Sequence, residues 1–155
     1  MNSKFIGLLI CLVLITTSGI TVFADTNDPT KSEYNDDVYL IETFIDKIDM
    51  GDTGRGTSTK TASKTTNIMN SAGTILWSVK VTGTFTYNGS SSSCTSSTVT
   101  TTAPSVYWTI KSKSASKSGS TATATATAVK KLDGVVTDTM TKTVKLTCSK
   151  TGVLS

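Results

Sequence analysis

The chain has 155 residues and contains no histidine, a single arginine (Arg55), two prolines and only 6% aromatic residues. Histidine is the side chain whose ordinary pKa lies near neutrality. Its absence excludes any Ser-His-Asp or Cys-His arrangement and removes the commonest metal ligand. The scarcity of arginine argues against nucleic acid, where guanidinium forks do much of the recognition. Beyond residue 52 the only carboxylates are Asp133 and Asp138. A carboxylate pair could serve a glycosidase, but one sits in a turn signal and the other on a polar strand pattern. Asp25, Asp28, Asp36 and Asp37 lack calcium-loop spacing. Gly51, Gly54 and Gly56 open no helix that could cradle a phosphate. Serines and lysines are so numerous that a Ser-Lys match carries no meaning. The chain is expected not to be an enzyme and to need no cofactor and no metal.

Threonine (32) and serine (21) supply about a third of the residues. At the N-terminus, Lys4 precedes an apolar run of eleven residues, Phe5 to Ile15, and Val22-Phe23-Ala24 offers the small residues that signal peptidase requires. The pattern predicts a signal peptide over 1–24, cleaved after Ala24. Thr16 to Gly19 interrupt the run short of the roughly 20 apolar residues of a membrane helix, and Cys11 follows Ile10 rather than a small residue, against lipid attachment. The mature product is expected to be secreted or extracellular, held at the cell surface by contacts if at all, with no integral membrane span. Two cysteines then remain, Cys94 and Cys148. In an exported domain such a pair is most simply a disulfide. It would close a loop worth about 4 kcal/mol in the chain-entropy picture. Free thiols or a link between molecules are the alternatives.

Charge divides the chain. Residues 25–52 hold nine acids against Lys31 and Lys47, a net −7, whereas residues 53–155 hold twelve bases against two acids, a net +10. In the acidic segment Asn35 can cap a helix that begins with Asp36 and Asp37. Val38, Ile41, Phe44, Ile45 and Ile48 recur at helical spacing, and Gly51 follows as a stop. The spacing predicts one amphipathic helix of about 13 to 15 residues, too short to stand alone. It would be a lid on the domain, a propeptide or a docking element. Residues 53–59 read as a flexible linker, with Arg55 open to a trypsin-like protease.

From residue 60 onward alternation replaces the helical period. In Ile75 to Tyr87 the set Ile75, Trp77, Val79, Val81, Gly83, Phe85 and Tyr87 points one way, and Leu76, Ser78, Lys80, Thr82, Thr84 and Thr86 the other. Further strands are expected at Thr65–Met69, Cys94–Thr102, Val106–Lys113, Thr121–Lys130 and Val135–Cys148. Asn70 to Gly73, Asn88-Gly89, Pro104, Ser118-Gly119 and Asp133-Gly134 supply the turns. Lys142 falls on the apolar side of the last strand, which implies a bulge or an edge position. Thr121 to Ala128 alternates threonine with alanine. Alanine is a poor strand former, suited to places where space is short, and Trp77 and Trp108 from the facing layer would fill that space. The expected architecture is an all-β, immunoglobulin-like antiparallel sandwich of six to seven strands over residues 60–155. Its core would comprise Trp77, Val79, Val81, Phe85, Trp108, Ile110, Ala122, Ala124, Ala126, Val144 and Leu146.

The run Leu76 to Ser90, Cys94-Thr95-Ser96-Ser97, Trp108, Lys111 to Gly119, the Thr-Ala tract and Leu146-Thr147-Cys148-Ser149 resembles an uncharacterised family of small secreted all-β proteins from Gram-positive, clostridia-like bacteria. The resemblance covers residues 60–155 and implies a compartment and a fold, but no activity.

The lysines of the body point to an anionic partner. Lys111, Lys113 and Lys117 share one parity and would form a stripe. The sequence thus implies a secreted, non-catalytic module that binds an anionic cell-wall polymer or another surface protein through lysine-rich faces. The alternative is a membrane-active, bacteriocin-like toxin silenced by its acidic prosegment, for which Ser118 to Leu146 could supply a barrel hairpin. Regular threonine rows could also order water, as on ice-binding faces, given a flat solenoid.

Overall fold

The structure, a computed structural model, describes residues 39–52 and 56–155, with 46–52 described by backbone alone. The expected signal peptide, the capping residues Asn35 to Asp37 and the protease-accessible Arg55 lie outside the described residues. Seven strands follow one another: β1 (Leu40–Asp52), β2 (Ser58–Met69), β3 (Ile75–Tyr87), β4 (Ser92–Thr102), β5 (Trp108–Ser118), β6 (Thr121–Leu132) and β7 (Val135–Thr147). They form two antiparallel sheets, ordered β1-β2-β3-β4 and β5-β6-β7. The two layers and seven strands are those of the expected sandwich, without the Greek-key connections of an immunoglobulin domain. Each sheet is a plain meander, and the chain changes layer once, between β4 and β5. Asp133 and Gly134 turn β6 into β7 with φ of 50° and 81°, the left-handed pair that a tight hairpin with right-handed twist demands.

The acidic segment is not a helix where it is described. Residues 40–52 form β1, the edge strand against β2. A bulge explains the helical look of the sequence. The register slips between Ile45 and Lys47, so Ile41, Ile45 and Ile48 stand opposite Ile68, Lys64 and Ala62. The four-residue spacing from Ile41 to Ile45 is two periods of plain alternation, and one inserted residue makes the next spacing three, to Ile48. The linker is correspondingly short, since β2 begins at Ser58. The second half of the acidic segment is therefore a strand of the sandwich, and a cut at Arg55 would remove a sheet edge rather than a separate lid.

The layers meet along β3 and β6. Trp77, Val79, Val81 and Phe85 of β3, Ala122, Ala124 and Ala126 of β6, and Val144 and Leu146 of β7 are all buried, as is Trp108, while Ile110 is half-buried against the same cluster. The small-against-large argument holds with different partners. Trp108 lies in β5, in the same sheet as the alanines, opposite Lys130. It stacks on Trp77 of the facing sheet at 6.3 Å between ring centroids and 29° between planes. Over the alanine row the space is closed by Gly83 and Phe85. A Cβ placed on Gly83 would lie 2.6 Å from Cζ of Phe85 and 2.8 Å from Cβ of Ala122. The Phe85 ring therefore folds back over its own strand's glycine, and the two backbones approach as closely as side chains allow.

Two further readings shift. Val106, expected to open the strand Val106–Lys113, is exposed in the link before β5, and Leu76, assigned to solvent, is buried. The backbone N–H of Ser105 donates to the Leu76 carbonyl as the chain crosses between layers. Lys142 needs no bulge, because β7 is an edge and pairs without a slip from Asp138 to Thr147.

The outward faces are hydroxyl ladders. On the first sheet Ser63 pairs with Thr82 at 2.7 Å, Thr61 with Thr84 at 3.0 Å and Ser78 with Thr102 at 2.7 Å. On the second, Thr121 pairs with Thr147, Thr125 with Thr143 and Thr127 with Thr141. Cross-strand pairs of this kind contribute about 0.2–1 kcal/mol each, which is what makes so much threonine useful in a small sandwich.

Gly83→Ala should lower unfolding free energy by about 1–3 kcal/mol through overpacking, whereas Ala115→Val, on exposed β5, should change it by less than about 0.5 kcal/mol; chemical denaturation measures both. Hydrogen exchange over residues 40–52 should protect alternate amides, those aimed at β2, where a helix would protect consecutive ones.

Candidate functional site

The lysine stripe lies on β5, the edge of the three-stranded sheet. Lys113 and Lys117 stand opposite Ala126 and Ala122, and Ser112, Ser114, Ser116 and Ser118 stand opposite Thr127, Thr125, Thr123 and Thr121. Directly opposed residues share a face, so the two lysines sit on the inner side of the sheet. They stay exposed because the strand is outermost. Lys111 does not share their parity. The register slips between Ile110 and Ser112, and Lys111 is the bulged residue. Lys117 Nζ donates to the Thr95 carbonyl of β4 at 2.6 Å, bridging the edges of the two layers. β5 is therefore exposed from Lys111 through Ser118, with lysine as its only charged residue type.

Two other charged groups, Lys60 and Asp138, make structural contacts. Lys60 Nζ donates to the Gly152 carbonyl and lies 5.5 Å from the centroid of the Tyr87 ring. A Cβ on Gly152, whose φ is 83°, would meet that ring at 2.5 Å, so lysine, tyrosine and glycine clasp the C-terminal tail. Asp138 Oδ2 accepts from the Tyr39 hydroxyl at 2.9 Å, and its other oxygen accepts from the Thr139 N–H. Tyr39 also sets its ring edge-on to Trp108 at 5.8 Å. Asp133 sits in the β6–β7 turn. Among the described residues no three of His, Cys, Asp and Glu gather as a metal site.

Cys94 and Cys148 are both buried thiols, and the bridge expected between them is not formed in this structure. They flank the β5–β6 turn. The Cys94 N–H donates to Gly119 O at 2.8 Å and the Cys148 N–H to Ser120 O at 3.0 Å. Burial pushes the Cys94 thiol up, opposed by a backbone hydrogen bond at Ser96 and by the Lys117 ammonium, while Cys148 adds to the rise.

Sequence reasoning missed one feature. Among the described residues, most of the exposed large apolar side chains lie at one pole, where β1, β3, β5 and β7 begin. These are Leu40, Ile41, Ile75, Val106, Tyr107, Leu132, Val135 and Val136. The opposite pole carries Asn88 to Ser92, Ser118 to Ser120 and the tail from Ser149. The signal lay in Val106-Tyr107 and in Leu132 and Val135-Val136 flanking Asp133-Gly134, apolar residues beside turn residues.

No family model matches this chain, and no curated protein or solved structure is significantly similar to it.

A raised thiol pKa favours the protonated fold. Stability of the reduced protein should be complete below the ordinary thiol value of about 8.5 and decline as pH rises through it toward the shifted value. Denaturant titrations at pH 8 and pH 10 should show this loss, and Cys94→Ala should lack the part due to that group.

Proposed function

We propose that the protein is a secreted, non-catalytic β-sandwich module that holds an anionic partner of the cell surface or envelope against the lysines of β5. The observation that carries this reading is the exposed edge strand itself. Three lysines, Lys111, Lys113 and Lys117, stand on eleven residues with no acid among them. Small serines and one alanine separate them, so nothing bulky bars a phosphate- or carboxylate-bearing chain from lying along the strand. Lys117 keeps donors beyond the one given to Thr95, because an ammonium has three. The chemistry of the chain favours binding over turnover. It has no histidine, and its Asp138 carboxylate is engaged by Tyr39 and Thr139. The partner class is an anionic wall polymer, met by point charges rather than guanidinium forks.

Export fits the leader pattern of residues 1–24, the secreted Gram-positive family resembled by residues 60–155 and the cysteine pair. Outside the reducing cytosol, Cys94 and Cys148 would lose two protons and two electrons to a thiol oxidant of the disulfide class and join as a disulfide. Their shared burial and their position on either side of Gly119-Ser120 support that pairing.

Mature protein from culture medium should begin at Asp25 and gain two hydrogens on reduction, read by intact mass. On immobilised polyphosphate, Lys113→Ala with Lys117→Ala should weaken binding at least tenfold, and rising salt should weaken the parent protein while barely affecting the double variant. Equal binding by parent and variant at low salt would end the proposal.

A further inference from the structure

The apolar pole described above is the feature that the lysine strand leaves unexplained. Its most projecting part is formed by two neighbouring turns. Val106 and Tyr107 belong to the link that changes layers, and Leu132, Val135 and Val136 flank the β6–β7 turn. The two are joined by the backbone, since the Lys131 N–H donates to the Tyr107 carbonyl at 2.8 Å. Within the second turn Leu132 pairs with Val135 and Lys131 with Val136. Val106 is 89% exposed, Val135 65% and Val136 50%. β-Branched residues held this far out of a folded domain cost solvation with no return inside the molecule. They project from tight turns rather than forming a flat patch of the kind that suits a dimer.

Charge narrows the occupant. Lys131 is exposed on the turn, and Lys111 is exposed in the bulge three residues beyond Trp108, where β5 begins at this same pole. Against them stand Asp133 in the turn and Glu42 of β1, which accepts from the Asn67 amide, while Asp138 is already engaged by Tyr39. Residues 53–155 carry a net +10, set against the acidic edge strand β1. Apolar tips flanked by Lys111 and Lys131 fit a surface that is oily at depth and anionic above it, namely a bilayer with acidic headgroups. Aliphatic tips would enter the headgroup boundary, and the lysines would stay level with the phosphates.

From this we infer that the protein docks end-on to anionic lipid through the Val106 and Val135-Val136 tips, with Lys111 and Lys131 at the headgroups. The inference rests on the anionic-partner reading of β5 and adds to it a second, lipid-facing surface at the pole. The strands would then stand roughly upright on the membrane, with β5 running away from it as a lysine track.

The test uses the full mature chain with phosphatidylglycerol vesicles, phosphatidylcholine vesicles and immobilised polyphosphate. Sedimentation with phosphatidylglycerol but not phosphatidylcholine is expected. Val106→Asp with Val136→Asp should reduce that binding at least tenfold while leaving polyphosphate binding and thermal unfolding unchanged. Each of Lys111→Ala and Lys131→Ala should reduce it roughly fivefold. Val106→Trp gives a readout independent of any loss of binding. Its fluorescence should shift to the blue on phosphatidylglycerol and be quenched by brominated acyl chains. Binding to polyphosphate without binding to vesicles would overturn the lipid inference and leave the lysine strand standing. Vesicle binding indifferent to the aspartates, with no blue shift, would also overturn it. Failure to bind either probe would remove both readings.

Discussion

The sandwich depends on how closely its two layers meet where Gly83 faces Ala122. A glycine in mid-strand removes a side chain from the pleat, the Phe85 ring folds into the vacated space, and the alanine row of β6 seats against it. Alanine and glycine are both weak strand formers, so neither residue is there for its own propensity. The aromatic ring supplies the apolar area that the small residues lack. Trp77 and Trp108 do the same toward the other end, stacked across the layers. A chain with so few aromatics closes its core by seating Phe85 over glycine at one end and stacking its two tryptophans across the layers at the other.

That economy accounts for the threonine. With the interior filled by few large residues, hydrogen-bonded hydroxyl pairs hold the outer faces of both sheets. They satisfy one another across strands and leave the broad faces polar with little charge. The lysines of β5 and Lys131 stand at an edge and a turn, whereas Lys60, Lys64, Lys80 and Lys130 lie on inner strands.

Much of the body could be read from the sequence. Strand β3 lies where strict alternation placed it, the alanines of β6 point inward, and the Asp133-Gly134 turn has the backbone that its residues require. The errors share a cause. A bulge in β1 imitated helical spacing, and a bulge in β5 removed Lys111 from the parity of Lys113 and Lys117. A single inserted residue is invisible to a count of periods, since its evidence is the partner strand. Trp108 was assigned to the facing layer for a related reason, because alternation reports which side a residue faces but not which sheet it belongs to. The apolar pole was hidden differently. Its residues are distant in sequence and come together only when the turns of both layers gather at one end.

The clasp on the C-terminal tail has a mechanical meaning. Leu154 bridges to Cys148, Ser155 exchanges two backbone hydrogen bonds with Thr147, and Lys60 and Tyr87 hold Gly152. The described chain enters at one pole through Tyr39, while β7 ends at the other. A tension applied between those points runs along the strands. Once the short tail has peeled away, it loads the rungs joining β1 to β2 and β6 to β7 in shear, many at once, instead of opening them one by one. A protein under drag from flowing medium would resist extension best in that direction.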